Sequence, residues 1–300
     1  MGTVVILGVF VADTAYRAGR MPVMGETVLG SSFALGPGGK GSNQAVACAR
    51  MGADTHFISN LGDDDFGKLA RDTWAGAGVK PHVRTITESY TGAAFIFIEE
   101  STGDNAIIVS PGAAALISPD DVEAQKGLIQ SADVFVTQLE QPLDAAMRGL
   151  ELARAAGVTT VLNPAPAAEL PDGMLPLCDY VTPNETECEA LTGLAVTNEA
   201  EAEAACAILM AKGGGTPIIT MGDQGAYLSG HGLVPAVQAG QVVETTGAGD
   251  AFNGGFAAAL AAGKAAYDAV RYGCVTAGIS VTRAGTAPAM PQRHEVDALL

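Results

Sequence analysis

The sequence predicts an α/β protein with a mainly parallel sheet that helices cover on both faces. Short β-rich runs alternate with segments of helical composition over most of the 300 residues, and this alternation is typical of strand–helix–strand units. Hydrophobic residues make up 48% of the chain and charged residues 16%, so the sequence can bury a large core. No internal repeat, low-complexity tract or linker divides it, and we therefore expect a single domain over residues 1–300.

Two β-rich pieces in the first third of the chain interrupt the alternation. One covers about residues 10–36, and the other, about residues 90–110, has the pattern of a hairpin with a polar turn at 99–104. We expect the two pieces to form a small antiparallel sheet that acts as a lid beside the main domain. The other elements predicted before residue 110 are a strand at 3–9, a helix that ends at Met51, a strand at 55–59 and a helix at 66–77.

The rest of the chain follows the strand–helix pattern more regularly. Ser118 and Pro119, followed by two acidic residues, have the composition of a capped helix start. Because parallel strands end at the same edge of a sheet, polar residues just past several strand ends would meet there. The pattern predicts strands at 133–137, 158–162, 180–182, 217–220, 224–229 and 242–246, helices at 142–156, 199–212, 248–262 and 265–283, a helix after Asn184 and a short C-terminal helix.

The stretch from Val242 to Phe256 carries the most specific chemistry in the sequence. Its β-branched start, glycine turn and Ala-rich helix would bring the backbone N–H groups of Gly247, Ala248 and Gly249 to a helix N-terminus, which favours an anion such as phosphate. Asp250 in the same turn is suited to take a proton from a hydroxyl group that attacks phosphorus. An ordinary tight turn capped by Asp is the alternative. We favour catalysis, because two glycines and an acid at one strand–helix junction meet both needs of phosphoryl transfer.

A second glycine-rich segment, Gly36-Pro37-Gly38-Gly39-Lys40-Gly41, matches the GxGxxG spacing of dinucleotide-binding loops. Pro37 lies inside the turn, and no acidic residue clearly ends a second strand about 20 positions later, so the match is weak. A glycine-rich connection before a helix is the plain alternative. Lys40 and Asn43 at that helix start favour a polar ligand instead.

Asn184 and Glu187 have two interpretations that can coexist. Asn at the N-cap with Glu three residues later is a capping pair, and the same acidic turn offers the oxygen ligands that hydrated Mg²⁺ prefers near a nucleotide. Asp13 and Glu140 each follow a predicted strand. They are placed either to bind hydroxyl groups or to cap a turn at the surface.

Charge and cysteine content exclude several classes of function. The net charge of −17 argues against binding to nucleic acid or to anionic membranes. Five cysteines without CxxC spacing indicate neither a disulfide scaffold nor a structural zinc site, and they fit a reducing cytoplasm. The N-terminus lacks the basic region of a signal peptide, and no apolar run approaches the ~20 residues of a membrane span. We therefore expect a cytoplasmic protein.

Together, the two glycine-rich segments resemble the signatures of the ribokinase-like (PfkB) family of carbohydrate kinases, and the resemblance extends over essentially the whole chain. The first signature corresponds to residues 38–45, with Gly52 and Gly62 following at the family's spacing, and the second to residues 245–252. Further strings are most similar to the ribokinase branch of that family; they lie at residues 25–27, 138–140, 163–166, 182–187 and 283–288.

This resemblance implies a three-layer α/β/α sandwich with a β-sheet lid that covers the sugar and, in the ribokinase branch, often forms a homodimer. It implies transfer of the γ-phosphate of ATP, with Mg²⁺, to a primary hydroxyl of a small sugar, which in that branch is ribose and gives ribose 5-phosphate. The positions that match the family's site are, for the sugar, Asp13, Gly39, Lys40, Asn43, Glu140 and Asp250; for the base and its anion hole, Asp250 with Gly247, Ala248 and Gly249; for the nucleotide, Asn184, Thr220, Gly222, Gly225 and Gly249; for Mg²⁺ through water, Glu187; and for a monovalent cation, Glu244.

Three departures from the family pattern leave the sugar and the cation open. Val11 stands where the ribokinase branch has Asn, which removes a partner for a sugar hydroxyl. Glu244 stands where the branch has Asp, and Ala289 where it often has Ser, so activation by potassium is open. The alternatives are a kinase of another pentose, a ketose, a deoxy sugar or a nucleoside, a nucleotide- or sugar-binding regulator without catalysis, and a dinucleotide-dependent oxidoreductase.

Overall fold

The computed structural model describes residues 2–300, which form two β-sheets and the helices that pack around the larger one. In chain order the strands are β1 (Thr3–Leu7), β2 (Val11–Ala18), β3 (Ser32–Gly38), β4 (Asp54–Gly62), β5 (Lys80–Ile86), β6 (Thr91–Glu99), β7 (Asn105–Gly112), β8 (Val134–Thr137), β9 (Thr159–Leu162), β10 (Tyr180–Val181), β11 (Thr216–Thr220), β12 (Gly225–Leu228) and β13 (Gly232–Pro235). The helices are α1 (Lys40–Arg50), α2 (Asp65–Ala77), α3 (Pro119–Glu123), α4 (Lys126–Gln130), α5 (Leu143–Ala155), α6 (Glu185–Thr192), α7 (Glu199–Ala211), α8 (Ala248–Ala261), α9 (Ala266–Ser280) and α10 (Arg293–Asp297).

The larger sheet has nine strands in the order β13-β12-β11-β10-β9-β8-β1-β4-β5. In this spatial order, all neighbouring strands from β11 across to β5 are parallel. Only the pairs β11–β12 and β12–β13, at one edge, are antiparallel. The prediction of a mainly parallel sheet is confirmed. The carboxyl ends of seven strands therefore meet at one edge of this sheet, where ligand sites in such folds lie.

Helices cover both faces of the central sheet, as strand β1 illustrates. Its Val4 and Ile6 pack into a core with α1, α2, α8 and α9. Its Val5 and Leu7 pack into a second core with α3, α4 and α5. A third cluster joins α6 and α7 to β11 and β12. A strand buried on both faces needs apolar side chains at every position, and the three-layer α/β/α sandwich is thereby confirmed.

The smaller sheet has four strands in the order β3-β2-β6-β7. Its outer pairs are antiparallel, as predicted, but the central pair of β2 with β6 is parallel. Strand β2 continues from the carboxyl end of β1, and β6 starts beside the carboxyl end of β4, where the Gly62 N–H donates to Thr91 Oγ1 at 2.9 Å. Both strands leave the same edge of the central sheet, and this common origin makes them parallel.

The prediction of a strand over residues 242–246 is wrong. The N–H groups of Val243 and Glu244 both donate to the Val281 carbonyl, at 2.8 and 3.2 Å, and they pair with no strand within residues 2–300. Val242 and Val243 are 58% and 60% exposed. A β-branched run forms a strand only where a neighbouring strand and a packed face are available, and this run follows a loop outside the sheet.

Strands β5 and β13 are additional to the prediction. Both lie at the edges of the central sheet, and β5 contains Lys80 and Pro81. Charged residues and proline are typical of edge strands, which need not present hydrogen-bonding groups on both sides. All five cysteines are buried and free, so they serve as small core residues. Among residues 2–300, the helices are too short or too polar to cross a membrane.

Candidate active site

Polar side chains from the carboxyl ends of three neighbouring strands surround a cavity of about 140 Å³. Asn163 follows β9, Thr182 follows β10 and Thr220 ends β11. The starts of three helices complete the lining, which consists of Lys40, Asn163, Ala165, Thr182, Asn184, Glu187, Thr220, Gly247, Gly249, Asp250 and Asn253. Seven of the residues predicted for the site thus come together: Lys40, Asn184, Glu187, Thr220, Gly247, Gly249 and Asp250.

Asp250 lies in the first turn of α8 and is only 7% exposed. Asn43 Nδ2 donates to its Oδ2 at 3.0 Å, and Gln44 Nε2 donates to its Oδ1 at 3.1 Å. Burial raises the pKa of Asp250, while the positive charge of Lys40 and the two amide donors act in the opposite direction. The site therefore holds one carboxylate in a fixed orientation, with a cation and two donors that favour its ionised form.

The N-terminus of α8 presents backbone N–H groups beside this carboxylate. Gly247 is the N-cap residue and has φ of 81°, a conformation that favours glycine. The Ala248 N–H donates to the Thr245 carbonyl at 3.1 Å. Within residues 2–300, the N–H groups of Gly249 and Asp250 make no hydrogen bond. Unpaired N–H groups at a helix start bind anions. The available donors in this turn are therefore the N–H groups of Gly249 and Asp250, because that of Ala248 is already hydrogen-bonded.

Two further carboxylates lie near Asp250: Asp13 on strand β2 of the small sheet, and Glu140 in the loop after β8. Burial, with the charges of Asp250 and Glu244, raises the pKa of Asp13 to about 6. Burial raises the pKa of Glu140 to about 7, although Lys40 opposes this through its charge and through its N–H, which donates to Glu140 Oε2 at 2.7 Å. Acids whose pKa values are raised in this way are common at functional sites.

The second glycine-rich segment brings α1 against these carboxylates. Gly39 has φ of 87°, and a Cβ atom there would lie 2.5 Å from the Val9 carbonyl oxygen, so the chain needs glycine at this position. The turn that Gly39 makes places Lys40 and Asn43 in the first turn of α1. Asn43 is 3% exposed, and its Oδ1 has no hydrogen-bond partner among the described residues. A buried acceptor without a donor points to a ligand hydroxyl.

Asn184 and Glu187 form the predicted capping box at the start of α6. The Glu187 N–H donates to Asn184 Oδ1 at 2.8 Å, and the Asn184 N–H donates to Glu187 Oε2 at 2.9 Å. Burial is the main cause of a raised pKa at Glu187, which is 6% exposed. The cap uses only Oε2, so the other carboxylate oxygen remains available on a side chain that lines the cavity.

The donor set around the cavity fits a magnesium ion that arrives with a nucleotide. No group of three or more His, Cys, Asp or Glu side chains among residues 2–300 is arranged to hold a metal by itself. Mg²⁺ typically binds through one or two carboxylates, water and the phosphates of its substrate. Glu187, with one carboxylate oxygen outside the cap, meets that requirement.

Gly222, Gly225 and Glu244 were predicted for the site but do not line the cavity. Gly222 begins the turn after β11, and Gly225 begins β12, where a Cβ atom would overlap the Val234 carbonyl of β13. Gly225 therefore has a packing reason to be glycine. Glu244 lies in the loop before α8, and its Oε2 accepts a hydrogen bond from the Gly285 N–H at 2.8 Å.

Sequence reasoning missed four polar residues that contact the site. They are Gln44, Asn163, Thr182 and Asn253, and all are buried. Asn163 and Thr182 have a positional signal, since each lies at a strand end. The others hydrogen-bond partners up to 206 residues away in the sequence, and no local pattern indicates such contacts.

These parts form a site for phosphoryl transfer to a hydroxyl group. A fixed carboxylate, unpaired N–H groups at a helix start and the cationic Lys40 stand around one cavity. Phosphoryl transfer depends on positioning and on stabilising charge at the transferred group. The fold and the site together define a small-molecule kinase of the three-layer α/β/α class.

Comparisons with known proteins identify the family within this class. The pfkB family of carbohydrate kinases matches residues 1–293. A ribokinase of Haemophilus influenzae is 39% identical over 296 residues, which cover 98% of this chain and 96% of the relative. A deoxyribokinase of Salmonella typhi is 32% identical over 301 residues, covering 99% and 98%. The structure of Arabidopsis thaliana ribokinase complexed with ribose and ATP matches with a TM-score of 0.92 at 31% identity, covering 99% of this chain and 98% of the other. The chain belongs to the pfkB family of carbohydrate kinases.

Proposed function

We propose that this protein is an ATP-dependent ribokinase, which transfers the γ-phosphate of ATP to the primary hydroxyl of ribose and forms ribose 5-phosphate. The observation that carries the proposal is the buried Asp250, held by Asn43 and Gln44 beside unpaired N–H groups at the start of α8. Relatives named ribokinase match nearly the whole chain, which supports ribose as the sugar.

In this mechanism Asp250 accepts the proton of the primary hydroxyl as its oxygen attacks the γ-phosphorus and the bond to ADP breaks. The N–H groups of Gly249 and Asp250, with the Lys40 ammonium, would stabilise negative charge on the transferred group. Asp13, Glu140 and the Asn43 amide would hold the other sugar hydroxyls. Such contacts fix the reacting oxygen near Asp250, and positioning of this kind supplies much of the rate enhancement.

Nucleotide and cations would bind on the other side of Asp250. Asn184 and Thr220 would contact the phosphates, and Gly222 and Gly225 would lie along the nucleotide. Mg²⁺ would be held by the phosphates and, through water, by Glu187; it would neutralise phosphate charge. A monovalent cation near Glu244 would use the carboxylate oxygen that does not accept from the Gly285 N–H.

We further propose that residues 1–300 are one domain whose small sheet is a lid over the sugar, and that two lids form a homodimer in the cytoplasm. Support for the dimer comes from apolar side chains that the small sheet exposes. Tyr16 and Phe33 are 42% and 58% exposed with ring centroids 5.1 Å apart, and Ile108 is 64% exposed. Exposed apolar patches of this kind mark interaction surfaces.

A deoxy sugar is the second candidate substrate. Val11, 4% exposed, brings an apolar side chain two residues before Asp13, and a relative at 32% identity is named deoxyribokinase. An apolar pocket wall rejects an added hydroxyl only weakly, so ribose and deoxyribose compete as candidates at this position.

A coupled assay of ADP release tests the proposed function. The purified protein with Mg·ATP is offered ribose, 2-deoxyribose, a ketose, a hexose and a nucleoside, each with potassium or sodium. Highest kcat/KM with ribose is the expected result. Preference for deoxyribose would move the assignment to the second candidate, and no ADP release with any acceptor would favour a binding regulator.

A further inference from the structure

Gln44 contacts Asp250 but is not among the side chains that line the cavity. It is 0% exposed, in the first half of α1. Its Nε2 donates to Asp250 Oδ1 at 3.1 Å and to Asn163 Oδ1 at 3.0 Å, and its Oε1 accepts from Gln138 Nε2 at 2.7 Å. Both N–H donors of this amide and its carbonyl oxygen therefore have named partners.

The orientation of the Gln44 amide is imposed by a backbone carbonyl. Asn163 Nδ2 donates to the Thr182 carbonyl oxygen at 3.0 Å. Because a carbonyl can only accept, the Asn163 side chain must turn its Oδ1 towards Gln44. Gln44 must then present its NH₂ group, whose two hydrogens serve Asn163 and Asp250. A flipped Gln44 would set oxygen against two oxygens, so the donor that faces Asp250 is fixed.

The network continues from Thr182 to the start of α8. Thr182 Oγ1 donates to Asn253 Oδ1 at 2.6 Å, and Asn253 Nδ2 donates to the Gly249 carbonyl at 2.9 Å. Polar contacts from α1, β9 and β10 thus meet both Asp250 and the turn that carries the unpaired N–H groups. Buried hydrogen bonds connected in this way restrict the movement of the groups they contact.

We propose that Gln44 is a positioning residue for the reaction: its amide, oriented through Asn163, holds Asp250 Oδ1 and keeps the carboxylate ionised and aimed at the acceptor hydroxyl. The proposal rests on the assignment of Asp250 as the base. Without the Gln44 donor, Asp250 Oδ1 would be buried without that partner, which favours the protonated acid, and the carboxylate would lose one of its two anchors.

Gln44→Met and Gln44→Glu test this proposal, with Gln141→Met as the matched control. Gln141 is also a buried amide, 3% exposed, but it bonds Thr137 Oγ1 and the Gln138 carbonyl and does not contact Asp250. The measurements are kcat and KM against pH, thermal unfolding, and the carbon-13 titration of the Asp250 carboxyl, identified by its loss in Asp250→Asn.

For Gln44→Met we expect kcat at pH 7 to fall at least ~10-fold, KM for sugar and ATP to change less than ~threefold, and the acid limb of the kcat profile to move up by about one pH unit. Gln44→Glu should move that limb further, because a second carboxyl group would face Asp250. Gln141→Met should keep the wild-type acid limb.

Unchanged kcat and acid limb in both Gln44 variants would overturn the proposal, as would a loss expressed only in KM. Failure of both variants to fold while Gln141→Met folds would also overturn it, because Gln44 would then be a structural residue. If the unmodified protein phosphorylates no sugar, the proposed function fails separately. The carboxyl titration still decides the role of Gln44 in that case, with a raised Asp250 pKa in Gln44→Met expected and an unchanged one contradicting it.

Discussion

The carboxylates of the candidate site should make the stability of the ligand-free protein depend on pH, and Glu140 offers the sharpest test. Burial raises the pKa of Glu140 from 4.5 to about 7, and nearby Asp250 and Asp13 act in the same direction. Glu140→Gln removes the ionisable group and keeps an oxygen that can accept from the Lys40 N–H. The variant therefore separates the effect of the buried charge on the free energy of unfolding from the effect of the hydrogen bond.

The magnitude follows from the difference between the two pKa values. At ~1.4 kcal/mol per pH unit, ionising Glu140 costs the folded state about 3 kcal/mol. The folded-state pKa is raised, so the stability contributed by protonated Glu140 is fully present below pH ~4.5 and is lost as the pH rises through about 7. Between pH 5 and pH 8, the wild type should lose about 2.5 kcal/mol relative to Glu140→Gln.

Urea denaturation of the ligand-free proteins at pH 5 and pH 8 measures this difference. Glu88→Gln, which removes one carboxylate from the exposed surface, is the control for the change in net charge. A Glu140→Gln variant that gains the same free energy of unfolding at both pH values would refute the reasoning, because the buried carboxyl would then cost nothing to ionise.

Two further variants test separate parts of the structure. Asn184→Ala removes the N-cap acceptor of α6, and we expect a loss of about 1 kcal/mol in the free energy of unfolding with a raised KM for ATP; an unchanged denaturation midpoint would contradict the capping role. Phe33→Glu places a charge on the exposed face of the small sheet. We expect sedimentation to find a dimer for the wild type and a folded monomer for this variant, whereas the same mass for both would remove that face as the dimer interface.

The sequence was sufficient to predict the layers of the fold because buried parallel strands have an unmistakable composition. Strand β1 is apolar at Val4, Val5, Ile6 and Leu7, and both faces are covered. Edge strand β5 contains lysine, proline and arginine, and this composition hides it from the same reasoning. The β-branched run at 242–246, by contrast, has the composition of a strand but does not form one, because strand propensity alone does not supply a neighbouring strand.

Site residues were predictable from the sequence where the neighbouring residues alone indicate a chemical role. Asp250 beside two glycines at a helix start is one such case, and the Asn184–Glu187 pair three residues apart is another. Gln44 and Asn253 are not, because their roles come from partners on other elements. Buried polar networks are specified by tertiary packing. The residues that hold Asp250 and the start of α8 through such a network are therefore visible only in the structure.

The central claim is that Asp250 is the base of an ATP-dependent sugar kinase, and one measurement tests it most directly. Ribose phosphorylation by Asp250→Asn is compared with that of the wild type, while calorimetry follows the binding of ribose and Mg·ATP. We expect kcat to fall by at least ~10² to 10⁴-fold, as for loss of a general base, with both ligands still bound within a few-fold of wild-type affinity. Near-normal kcat in Asp250→Asn would contradict the assignment.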